Sequence, residues 1–147
     1  MKSTFHLLIV DDNPADVSLV EEALKVSAYA GSCQSVGDGV EAMAYLSRRG
    51  SFAQAPKPDL VLLDLNLPKR DGLTVLAAMK AGPEWRRIPV VIFSTSRLGR
   101  DVARSYELGA NCYVSKPGNL SEYFAAVKAI EQFWFGPVTL PPQGEEQ

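Results

Sequence analysis

Five polar residues stand where runs of branched apolar residues stop. Asp11 and Asp12 follow Leu7-Leu8-Ile9-Val10, and Asp64 follows Leu60-Val61-Leu62-Leu63. Ser94 follows Val90-Val91-Ile92-Phe93, and Lys116 comes just after Cys112-Tyr113-Val114. A lone aspartate in such a place is ordinarily a turn or cap residue. Three carboxylates, a hydroxyl and an ammonium are a different matter if the chain brings the ends of those runs together. Converging carboxylates repel one another and push each other's pKa upward. A divalent cation relieves that repulsion, and a few hard oxygen ligands suit Mg²⁺, which keeps waters and leaves room for phosphate oxygens. With a flexible point charge at Lys116 and a hydroxyl at Ser94, each oxygen of a phosphoryl group has a partner. Phosphoryl transfer needs positioning and charge stabilisation more than covalent help from many groups. A carboxylate can itself be the acceptor, forming an aspartyl phosphate. Asp64 is placed for that role, and Asp11 and Asp12 for holding the metal.

The elements that must position these residues follow a simple alternation. The four-residue run at 60–63 is short and branched, as in a strand buried on both faces. Runs at 7–10, 89–93 and 112–114 read the same way, with a weaker strand at 33–36. Between them lie amphipathic helical patterns. The first has Asn13 as N-cap and Pro14 at the first helical position, with Val17, Val20 and Leu24 recurring to about residue 27. The second, marked by Val40, Met43 and Leu46, ends near Gly50; a polar loop follows over 51–58. The third carries Leu73, Leu76 and Met79. The fourth has Val102 and Tyr106 on one face and is stopped by Gly109, and the last runs from about Leu120 toward Phe133-Trp134-Phe135. Five repeats of strand then helix predict an α/β fold, a doubly wound (βα)5 parallel sheet with helices on both faces. In such sheets the loops after the strands' carboxyl ends carry the ligands. Asp11, Asp12, Asp64, Ser94 and Lys116 should therefore share one edge.

Composition narrows the function classes. A chain of 147 residues with 46% hydrophobic content fits one domain with a single globular core. A net charge of -2 gives no nucleic-acid footprint. No apolar run is long enough to span a bilayer, and the N-terminus enters a strand too soon for a signal peptide, so a cytoplasmic location is expected. Cys33 and Cys112 lack metal-ligand spacing and read as buried free thiols. His6 has no Cys or His partner nearby and reads as neither ligand nor catalyst.

The ordered motifs resemble a two-component response-regulator receiver domain. The resemblance is carried by Val10-Asp11-Asp12, Asp64-Leu65-Asn66-Leu67-Pro68 with Asp71-Gly72, Ser94, and Lys116-Pro117. Asp38-Gly39-Val40-Glu41-Ala42 and Gly109-Ala110 also match. The resemblance implies a flavodoxin-like sheet of strand order 2-1-3-4-5 over residues 1–136, followed by an extension at 137–147. It implies that Asp64 accepts a phosphoryl group from a phosphohistidine of a sensor histidine kinase. Asp11, Asp12, Asp64 and the backbone carbonyl of Asn66 would bind Mg²⁺, and Ser94 and Lys116 the phosphoryl oxygens. Tyr113 matches the switch aromatic that packs inward when Ser94 moves. Such a protein phosphorylates and dephosphorylates itself and is not a turnover enzyme. The Lys116-Pro117 bond is a candidate cis peptide. Gly118 stands where many receivers have Phe, and Asn66 and Ser96 occupy the positions that tune access of hydrolytic water.

Two rivals use the same residues. An Asp-nucleophile Mg²⁺-dependent phosphatase requires a second aspartate two residues after the nucleophile as general acid; Asn66 stands there instead. A phosphorylation-independent binding scaffold would not need the complete set of five. The chain leaves no length for a DNA-binding module, so direct nucleic-acid contact is not expected. Phe133, Trp134 and Phe135 cannot all face one core from a single helix. Either the tail at 138–140 covers the excess or they form a dimer or partner interface, and the second is the expectation. The long loop before Asp59 and the Phe-Trp-plus-Leu-Pro ending resemble stand-alone receivers that accompany phytochrome-type histidine kinases, which are commonly homodimers.

Overall fold

The branched apolar runs form strands and the amphipathic segments form helices, in strict alternation. The computed structural model describes residues 4–27 and 31–142. Its elements are β1 (Phe5–Val10), α1 (Pro14–Val26), β2 (Gly31–Val36), α2 (Gly39–Leu46), β3 (Leu60–Leu63) and α3 (Gly72–Ala81). They continue with β4 (Val90–Ser94), α4 (Gly99–Glu107), β5 (Cys112–Ser115) and α5 (Leu120–Trp134). The strands form one parallel sheet in the order β2-β1-β3-β4-β5. Fold class and strand order are therefore as expected.

Because strand side chains alternate between faces, each strand feeds two cores. Leu8, Val10, Val61, Leu63, Val90 and Ile92 pack on one face with residues of α2 and α3. Leu7, Ile9, Leu60, Leu62, Val91 and Phe93 pack on the other with residues of α1 and α5. Register then does the positioning. Val10 lies opposite Leu63, so the next residues, Asp11 and Asp64, emerge side by side. Ser94 lies opposite Ser115, which puts Lys116 just beyond Ser94.

Four helix starts have side-chain caps. Asn13 accepts from the N–H of Ala15 and Asp16, Asp38 from Glu41, Asp71 from Thr74 and Asn119 from Glu122. Asp38 is thus the cap of α2. The exception is α4, preceded by Leu98 without a side-chain cap. Its one buried residue is Ser105, while Tyr106 is half-exposed. The face that carries Val102 and Tyr106 is thus only partly covered: Val102 is partly buried, and the Tyr106 hydroxyl accepts from the Tyr113 N–H.

Other boundaries shift. β2 begins two residues before Cys33, because Gly31 pairs with Phe5. α2 stops at Leu46, and a short 3-10 turn, Gly50–Phe52, interrupts the loop ahead of β3. Cys33 and Cys112 are free but only partly buried, on strand faces under the outer helices. The Lys116-Pro117 bond is trans, since no peptide bond among the described residues is cis. The lysine reaches the site from an ordinary trans turn, anchored by its own N–H on the Ser94 carbonyl at 2.7 Å.

Candidate functional site

The carboxyl edge of the sheet brings the residues together. One carboxylate oxygen from each of Asp11, Asp12 and Asp64 lies within 4.8 Å of the others. Asp11 and Asp64 are buried, whereas Asp12 is exposed, so the cluster opens to solvent on the Asp12 side. Backbone bonds fix the two buried members. The Asp64 N–H donates to the Val10 carbonyl at 2.9 Å, and the Asp11 N–H to Val36 at 3.1 Å. Asp11 also accepts the Asn13 N–H through Oδ1 at 2.9 Å, and Asp64 accepts that of Asn66 at 3.3 Å. The donor set is all hard oxygen, compact and open on one side, and so fits a small divalent cation that retains water.

Lys116 enters from the opposite side with its side chain 3% exposed. Its Nζ donates to Asp11 Oδ2 at 2.7 Å, Asp16 Oδ2 at 2.9 Å and Asp64 Oδ2 at 3.3 Å. The ammonium also lies 5.9 Å from the Phe93 ring centroid. Burial by itself pushes the ammonium's pKa down. The hydrogen bonds to Asp11 and Asp16 and the charge of Asp64 more than offset that, and the net shift is upward. Asp11 is raised as well, but chiefly by burial; the Lys116 and Asn13 hydrogen bonds oppose the shift, and the Asp64 charge is its smallest cause. For Asp11 the shift is upward, as crowding would make it, but its main source is desolvation.

Ser94 is fully buried, and its hydroxyl accepts the Ser96 N–H at 3.3 Å. Tyr113 is half-buried against the α2/α3 core, with its hydroxyl donating to the Ser96 carbonyl at 2.8 Å. Ser94 and Tyr113 therefore meet at the backbone of one residue, Ser96. The Ser96 side chain in turn donates to Asp101 in α4. Ser96 is thus a junction between strand end, aromatic and helix, a role that its sequence position alone does not reveal. Asp16 is the other residue that sequence reasoning missed. The signal was present: an N-cap at Asn13 puts residue 16 in the first turn of a helix that begins beside Asp11 and Asp12.

The aromatic trio at the end of α5 divides. Trp134 and Phe135 pack against the α1/α5 core, and the Phe135 ring lies 4.4 Å from that of Phe5. Phe133 is 55% exposed and meets Trp134 edge-on at 5.4 Å. The tail folds back on the end of α5: the Val138 N–H donates to the Phe133 carbonyl at 3.4 Å, and Val138 and Leu140 are partly buried. Of the extension 137–147, residues 143–147 lie outside the described residues.

The sequence matches the response regulator receiver domain family over residues 7–128. It is 48% identical over 135 residues to the response regulator Rcp1 of Synechocystis, covering 92% of each chain. A crystal structure of the phosphorylated cyanobacterial phytochrome response regulator RcpA superposes with a TM-score of 0.91 at 49% identity, covering 95% of this chain and all of the other. The Mn²⁺-bound form of Rcp1 gives a TM-score of 0.89 at 47% identity, over 94% and 99% of the two chains. Motifs, sheet order, site geometry and these similarities agree, and the chain belongs to the response regulator receiver domain family.

Proposed function

We propose that this receiver takes a phosphoryl group onto Asp64 from a phosphohistidine of a sensor histidine kinase, in a reaction that requires Mg²⁺. The observation that carries the reading is the placement of one buried carboxylate, Asp64, between an acidic cluster within 4.8 Å and the Lys116 ammonium at 3.3 Å. An Asp64 carboxylate oxygen attacks phosphorus, the P–N bond to the histidine breaks, and the imidazole leaves with its electron pair. Asp11, Asp12, Asp64 and the Asn66 carbonyl would hold the cation, which when bound neutralises charge on the phosphoryl oxygens. Lys116 offers its N–H groups to a phosphoryl oxygen, and the Ser94 hydroxyl, released from the Ser96 N–H, turns to another. Tyr113 follows through Ser96, coupling the strand end to the α4 surface. Hydrolysis of the acyl phosphate by water, past the small polar Asn66 and Ser96, resets the protein without turnover of an external substrate.

The likeness to the phytochrome response regulator RcpA supports a phytochrome-type kinase as partner, and a cytoplasmic site of action fits such a partnership. No helix among the described residues is long and apolar enough to cross a membrane. We further infer a homodimer in which the end of α5 and the 137–147 extension meet their copies, with Phe133 as the exposed anchor.

The test is incubation with Mg²⁺ and acetyl phosphate, then with the kinase. The expected product is an acid-stable, base-labile phosphoprotein that is absent in Asp64→Asn. No phosphoprotein from any donor rejects the reading, and turnover of many phosphate esters would favour a phosphatase.

A further inference from the structure

Lys116 has three N–H donors and three carboxylate partners, but only two of those carboxylates belong to the acidic cluster. Asp11 and Asp64 contribute oxygens to it; Asp16 does not. Asp16 sits in the first turn of α1, where Asn13 accepts its backbone N–H and the positive end of the helix favours a carboxylate. The Tyr123 hydroxyl, buried on α5, reaches the Asp16 carbonyl at 3.4 Å and ties that turn to the opposite helix. The carboxylate is thus held on a rigid element, 2.9 Å from Nζ. On the same flank a cavity of about 310 Å³ opens between Asp16, Leu19, Lys116, Gly118 and Tyr123. Gly118 contributes no side chain to fill it, and a Cβ there would meet nothing within 4 Å. Packing does not fix the ammonium on this side.

We propose that Asp16 is a positioning residue, a parking carboxylate that holds Lys116 toward α1. It thereby keeps the ammonium off full contact with Asp64, at 3.3 Å, and gives it a partner outside the acidic cluster when the cation takes the oxygens of Asp11 and Asp64. A lysine without this anchor competes with the cation for the same two carboxylates. The proposal rests on the receiver reading and deepens it.

Its test is a double-mutant cycle on Mg²⁺ affinity, measured by calorimetry on the intact chain. Asp16→Asn keeps the shape and the helix position but removes the charge. With Lys116 present, Asp16→Asn is expected to weaken Mg²⁺ binding by about fivefold, the size of a coupling between contacting charged groups. In a Lys116→Met background the same substitution should change the affinity by less than about twofold, because the competitor is gone. Equal weakening in both backgrounds would mean that Asp16 acts only through its field on the cation, and overturns the proposal. So does an unchanged or tighter affinity for Asp16→Asn alone. The Lys116 ammonium supplies a second readout: its ¹H–¹⁵N resonance should persist with Mg²⁺ bound in the wild type and broaden in Asp16→Asn, and persistence in both argues against the anchor. Acetyl-phosphate labelling of the wild type keeps the two readings apart. Absent labelling rejects the receiver function, whereas normal labelling with no difference between backgrounds rejects only the role of Asp16.

Discussion

Replacing Lys116 with methionine tests the electrostatic account of the site most directly. The substitution keeps an unbranched apolar stem beside Phe93 and removes one charge from among three carboxylates. At an effective dielectric near 20, an ion pair at the 2.7–3.3 Å of Lys116 with Asp11 and Asp64 is worth roughly 5–6 kcal/mol before desolvation. Carboxylate oxygens up to 4.8 Å apart repel by about 3.5 kcal/mol or more on the same scale, and this repulsion stays when the ammonium leaves. Removing one partner of a buried pair costs about 3–5 kcal/mol. Two features place the variant at the low end. The cost of burying the ammonium disappears, and Asp11, already raised by burial, can take up a proton. A loss of about 3 kcal/mol corresponds to a Tm lower by about 6–12 °C for a domain of this size. The assay is thermal unfolding at neutral pH in chelator and again in millimolar Mg²⁺. Because the cation replaces the missing charge, Mg²⁺ should raise the Tm of the variant more than that of the wild type. Equal Tm values in chelator, or equal Mg²⁺ shifts, would refute the balance described for this site.

Three further predictions concern the scaffold. A Cβ at Gly72 would lie 2.3 Å from the Asp64 carbonyl oxygen and 2.6 Å from the Leu65 Cα, so Gly72→Ala must displace the backbone at the phosphoacceptor. It should cost about 1–3 kcal/mol by urea unfolding and slow acetyl-phosphate labelling together, and a variant with native stability and rate would contradict the packing. Burial pushes the Cys33 thiol up to about 12 from 9.0, with Glu21 adding to the shift. The folded state thus keeps a proton that the unfolded chain releases, so the Cys33 contribution is whole below about pH 9 and is lost between 9 and about 12. Alkylation of Cys33 by iodoacetamide at mildly alkaline pH should run on the order of a thousandfold slower than in the unfolded chain; comparable rates would show the thiol to be accessible as thiolate. Phe133→Asp should convert a dimer into a monomer by light scattering and remove any concentration dependence of the Tm, and a wild type that stays monomeric at high concentration rejects the interface.

Much of the site was legible because strand ends in a parallel sheet convert sequence position into proximity. Asp11, Asp64, Ser94 and Lys116 each terminate or follow a strand whose type is set by a short branched run, and register does the rest. Residues on helices were harder to read. Asp16 comes before Val17 and one turn before Val20, at the rim of the inner face of α1; the apolar pattern marks the face but not a polar residue at its rim, and only the packing of α1 beside β5 brings that rim to Lys116. In α4 the Val102/Tyr106 spacing has the right period, yet the helix lies over the edge of the sheet where little apolar surface is available to receive it. The Phe133-Trp134-Phe135 run was correctly split between inside and outside in principle, but which ring faces solvent depends on Phe5, some 130 residues away in the chain. The peptide geometry at Pro117 is likewise a tertiary outcome, since both isomers of a bond before proline lie within about 1 kcal/mol.

The shallow seating of α4 has a consequence for how such a protein diverges. Of its residues only Ser105 is buried, so substitutions along the helix disturb few contacts and typically change stability by no more than about 0.5 kcal/mol each. The acceptor, its lysine and Asp11 are buried at the ends of strands whose apolar residues are covered on both faces. Lineages can therefore rewrite the face that a partner reads while inheriting the phosphoryl chemistry unchanged. Message and mechanism are free to evolve at different speeds within a single small fold.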